Sequence, residues 1–70
     1  MKYTVIIEKS GAGFSGYVPD LPVVVAAGAT REEVLLLLSS AIPDHIALMR
    51  EDGDPVPVPT TSAVEIEVAA

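Results

Sequence analysis

A few groups of residues have types and spacings that could do chemistry. Gly11-x-Gly13-x-x-Gly16 has the glycine spacing that cradles a pyrophosphate, and with Val18 it extends to the pattern of a kinase phosphate loop. That chemistry needs the glycines to open a helix whose N-terminus meets the phosphate. Here Tyr17-Val18-Pro19 follows, a strand and then a break, so the glycines read as a hairpin turn. Asp44-His45 invites a general-base role, with Ser39 and Ser40 a turn or so away. Sequence neighbours on a helix point roughly 100° apart and do not pair. No glycine-rich oxyanion turn accompanies them, and His45 reads as a half-buried or interface residue. Glu51-Asp52-Gly53-Asp54 lacks the spacing of a calcium loop and reads as a solvated helix end. Glu65 and Glu67 share one face of a strand, roughly 7 Å apart, which is the pattern of a solvent face. With no cysteine and one histidine, a zinc site cannot be built. The residues therefore predict no catalytic, cofactor or metal site, and the chain reads as a protein without enzymatic activity.

The elements that carry these residues can be placed from the same pattern. Tyr3, Val5 and Ile7 alternate with Thr4, Ile6 and Glu8, which predicts a strand over about 2–8. A second strand follows over 14–18 and a third over 23–27, separated by Pro19-Asp20-Leu21-Pro22. Thr30-Arg31-Glu32-Glu33 is a capping box before an apolar run, and Gly53 can end what it starts, so a helix spans about 31–50. Val34, Leu38, Ala41, Ile42, His45 and Met49 form its packing stripe, and Pro43 inside it removes one hydrogen bond. Val64, Ile66 and Val68 alternate with Glu65 and Glu67, predicting a last strand over 62–69. The order is β-β-β-α-β: a single α+β domain over 1–70, an antiparallel sheet with one long helix packed on one face.

Size and charge narrow the role. A chain of 70 residues, half of them hydrophobic, folds only marginally, and without cysteine the usual supplement is self-association. Leu35, Leu36 and Leu37 carry apolar surface beyond the stripe a helix needs for its own sheet. They mark an oligomer interface, joined by Val23 and Val25 of the third strand, for a dimer or tetramer. Ten acids against four scattered bases give a net charge of −6. That balance excludes direct nucleic-acid binding, which needs clustered Lys and Arg, and suits a basic partner. Apolar runs fall far short of the roughly 18 residues of a membrane span, and no secretion signal opens the chain. The expected location is cytoplasmic.

Five segments, in order, carry a resemblance: Lys2-Tyr3-x-Val5-x-Ile7-Glu8, Gly16-Tyr17-Val18-Pro19-Asp20-Leu21-Pro22, Gly28-x-Thr30-x-Glu32-Glu33, an apolar helix, and Arg50-Glu51-Asp52-Gly53-Asp54-Pro55-Val56-Pro57. Over roughly residues 2–59 the chain resembles the HicB-like antitoxin family. The resemblance implies a partial ribonuclease-H-like fold without ribonuclease activity. It implies the antitoxin of a type II toxin–antitoxin system, binding and neutralising a small basic HicA-like ribonuclease toxin, with Tyr17 and Asp20 as candidate partner-binding residues. The family's C-terminal DNA-binding module is not visible here, and Val23-Val24 stands where the family usually has Gly-Cys. The alternative role is an orphan self-assembling scaffold or regulator without catalytic activity.

Overall fold

In the computed structural model, which describes residues 1–69, three strands precede one helix: β1 (Ile6–Ser10), β2 (Gly13–Val18), β3 (Leu21–Gly28) and α1 (Arg31–Glu51). The strands form one antiparallel sheet in the order β1-β2-β3, and the helix packs mainly over β2 and β3. The arrangement is α+β.

Local chemistry explains each junction. Ser10 pairs with Gly13, leaving Gly11-Ala12 as a two-residue loop. Gly11 has a positive φ of 59° and Ala12 does not, the pattern of a type II′ turn whose twist suits a hairpin. The glycine-rich motif is therefore strand and turn, with no helix behind it. The helix starts where the Thr30 side chain accepts from the Glu33 N–H at 3.1 Å, while the Glu33 carboxylate accepts from the Ala29 N–H at 3.3 Å. It continues unbroken through Pro43. At its end the Gly53 N–H donates to the Arg50 carbonyl and the Asp54 N–H to the Met49 carbonyl. This is a Schellman motif, and it needs the positive φ of 75° that Gly53 supplies.

The core is small: Val18, Leu21, Val24, Val34 and Leu38 are buried, with Val5, Ile7, Phe14, Ile42 and Met49 packed around them. Gly16 sets the distance between layers. A Cβ there would lie 2.7 Å from Val34 Cγ1 and 3.0 Å from Leu38 Cδ1. Only a glycine lets the helix come this close to β2.

Three features differ from the sequence expectation. The strand expected over 2–8 runs instead over Ile6–Ser10, and β2 offers ladder partners only to those residues; ahead of it the Tyr3 hydroxyl donates to the Pro57 carbonyl and Thr4 Oγ1 to the Thr61 carbonyl at 2.7 Å, which ties this segment to the C-terminal one. The third strand starts earlier, at Leu21, and bulges. Tyr17 pairs with Val25 but Val18 with Leu21, so residues 22–24 have no partner across the ladder. Pro22, which cannot donate, sits in that irregularity. The strand expected over 62–69 is not formed. Val64, Ile66 and Val68 are 80%, 81% and 77% exposed, and no ladder partner lies alongside them. The Cα radius of gyration is 13.8 Å, against about 11 Å for a compact chain of this length.

Candidate partner-binding surface

Strand alternation sorts the sheet into two faces. Gly16, Val18, Val24 and Ala26 point at the helix; Ser15, Tyr17, Val23, Val25 and Ala27 point away. Ile6, Tyr17 and Val25 are direct cross-strand partners and form a row across the uncovered face. Val23 and Val25 are 72% and 66% exposed. A shallow depression of about 760 Å³ lies there, lined by Ser15, Tyr17, Pro19, Pro22, Val25 and Ala27. This face is almost free of charge; within β1, β2 and β3 the ionisable carboxylate is Glu8.

The helix presents the opposite surface. Leu36 is 74% exposed, and Leu35 and Leu37 flank it on the same turns. Glu32 sits one turn before Leu36, and Glu33 one turn before Leu37. With Asp44, Glu51, Asp52 and Asp54, all exposed, six of the ten acids lie on α1 and the turn that ends it. This surface is apolar ridge and negative charge together.

The structure regroups the residues singled out from sequence. Leu35, Leu36 and Leu37 lie on the far side of the helix from Val23 and Val25, so one contiguous patch cannot hold both sets. Tyr17, expected to meet a different partner, shares its face with Val25. Asp20 is engaged within the chain. Its carboxylate accepts from the Thr60 N–H (3.1 Å) and hydroxyl (3.2 Å) and from the Thr61 N–H (3.0 Å) and hydroxyl (2.8 Å). The Thr61 N–H, first among these donors, holds the Asp20 carboxyl below its ordinary value of 3.8. Sequence reading missed this clamp. Thr60 and Thr61 lie some forty residues from Asp20, and only the Pro-rich stretch before them, which limits where the chain can go, hinted at a fixed path. His45 is half-buried. Among the described residues no three of His, Cys, Asp and Glu come together to hold a metal ion, and no helix is long and apolar enough to cross a membrane.

This combination, a small layer with one acidic ridge and one bare apolar face, can bind other polypeptides. Residues 3–69 match a family model described as HicB_like antitoxin of bacterial toxin-antitoxin system. The chain belongs to the HicB-like antitoxin family. A curated HicB-like relative, Antitoxin HicB 2 of Photorhabdus laumondii, is 33% identical over 61 residues, covering 87% of this chain and 44% of the relative. An uncharacterized 14.9 kDa protein from the rep-hol intergenic region of Haemophilus phage HP1 is 40% identical over 57 residues, covering 81% of this chain and 43% of that protein. The chain thus spans less than half the length of these relatives.

Proposed function

We propose that this domain acts without catalysis, as the antitoxin that covers and neutralises a small basic HicA-like ribonuclease toxin in the cytoplasm, and that it does so as a dimer or tetramer. The observation that carries this reading is the placement of charge. Glu32 and Glu33 lie one turn before Leu36 and Leu37, and Asp44, Glu51, Asp52 and Asp54 carry negative charge onward along α1 to the turn that ends it; an acidic surface with an apolar ridge complements a basic RNA-binding one. The toxin therefore docks on the helix side. Self-association uses the sheet face of Tyr17, Val23 and Val25, where two chains of charge −6 meet with least repulsion. The same negative charge keeps direct nucleic-acid contact out of the role.

The test is co-expression with a HicA-like toxin from the same genome, followed by co-purification and an RNA-cleavage assay. The expected result is a stable complex without cleavage. Leu36→Glu should abolish protection, and Val25→Glu should weaken self-association first. A well-folded chain that leaves cleavage untouched refutes the antitoxin reading. If that same chain still self-associates, it is an orphan scaffold or regulator.

A further inference from the structure

The C-terminal segment has the alternation of a strand yet has no ladder. Its apolar side chains Val64, Ile66 and Val68 alternate with Glu65 and Glu67, and all five are exposed. Its root, in contrast, is held in place. Asp20, in the turn between β2 and β3, binds both Thr60 and Thr61, and Thr4 binds the Thr61 carbonyl. Beyond that root the chain leaves its own sheet.

The edge of β1 is the complementary vacancy. Among the described residues β1 pairs with β2 on one side and has no ladder partner on the other, as is also true of the outer side of β3. Next to its start, a groove of about 410 Å³ opens between Tyr3 and the α1 turn containing Ile42, Pro43 and Ile46. Charge agrees. Lys2 and Lys9 lie before and within β1, beside one acid, Glu8, and Arg50 lines the groove just ahead of the acidic end of α1. The tail brings two glutamates.

We propose that residues 62–69 of one copy add as the fourth strand to the free edge of β1 in a second copy, reciprocally, with Val64, Ile66 and Val68 turned toward the groove. The sheet has two edges, β1 and β3; the groove and the basic side chains lie on the β1 side, so a twofold pair in which each tail takes the partner's β1 edge satisfies both unpaired segments and closes on itself. The exchange rests on the reading above that copies self-associate, adds to the face of Tyr17, Val23 and Val25 a second contact at the β1 edge, and is independent of the toxin.

The chain has no cysteine, so introduced thiols report without background. Ile66→Cys chains are mixed with Lys9→Cys chains, oxidised and run on a non-reducing gel; Ile66→Cys mixed with Val25→Cys is the control, and both substituted positions on the tail and β1 are exposed. The expected product is a disulfide-linked heterodimer with Lys9→Cys in large excess over the control. Ile66→Pro should lower the oligomer number in sedimentation while the helical circular dichroism is kept. A double variant, Ile66→Cys with Lys9→Cys, that closes on itself as a monomer overturns the exchange, as does preferential linkage to Val25→Cys. A dimer that shows no cross-link to Lys9→Cys refutes the exchange alone. A parent chain that sediments as a monomer at micromolar concentration refutes both the exchange and self-association.

Discussion

Replacing Gly16 by alanine tests the packing that defines this fold. The added Cβ meets Val34 Cγ1 at 2.7 Å, Leu38 Cδ1 at 3.0 Å and the Ile6 carbonyl oxygen at 3.2 Å, where ordinary carbon contacts lie at about 3.5–4.0 Å. The leucine methyl is the end of a flexible side chain and can move. Val34 is β-branched and fully buried, with one strongly preferred helix rotamer, and the Ile6 oxygen is backbone. The helix must therefore retreat by something near an ångström, and overpacking of this kind costs about 1–3 kcal/mol. Against it, alanine restricts the unfolded chain and returns about 0.4–1 kcal/mol. A net loss of about 1–2 kcal/mol lowers the melting temperature of a domain this size by roughly 5–15 °C. The decisive measurement is a double-mutant cycle by urea denaturation at one fixed protein concentration. Val34→Ala alone opens a cavity and costs about 2 kcal/mol. In the Gly16→Ala background the new Cβ occupies part of that cavity, so the double variant should be more stable than the sum by more than about 0.5 kcal/mol. Strict additivity, or a Gly16→Ala protein as stable as its parent, refutes the close approach as the constraint on residue 16.

Other substitutions separate other forces. Gly53→Ala meets nothing within 4 Å but must hold a φ of 75°, so urea denaturation should show a loss of about 1–2 kcal/mol that is purely conformational. The Asp20 carboxyl is held below 3.8 by Thr61 and Thr60. A depressed carboxylate stabilises the fold above its unfolded value and ceases to do so as pH falls through its folded value. The Thr60 and Thr61 amides should therefore shift and exchange faster below about pH 3.8 in NMR, with Asp20→Asn abolishing that titration. Leu36→Glu, at a side chain 74% exposed, should change stability by no more than about 0.5 kcal/mol, while removing toxin binding in a pull-down; a collapse of the fold would place Leu36 in the core.

Much of this protein was legible from local chemistry. The capping box at Thr30–Glu33, the glycine stop at 53, the hairpin at Gly11 and the packing stripe through Val34 and Leu38 all follow from interactions within a few residues, which sequence spacing encodes directly. So did the family, because its motifs are mostly turns and caps. The alternation of residues 62–69 also states a strand propensity, but a strand needs a ladder, and pairing is a property of position in space. Tertiary structure alone decided the rest. It placed Tyr17 beside Val25 and put the α1 leucines on the opposite side, since which face a residue shares depends on register and on a bulge at residues 22–24. It brought Asp20 to Thr60 and Thr61, a contact across a loop whose closure no local pattern reveals. It left residues 62–69 without a ladder beyond the Asp20 clamp, exposed and paired with neither edge of the sheet, because pairing depends on where the chain lies in space and not on its alternation.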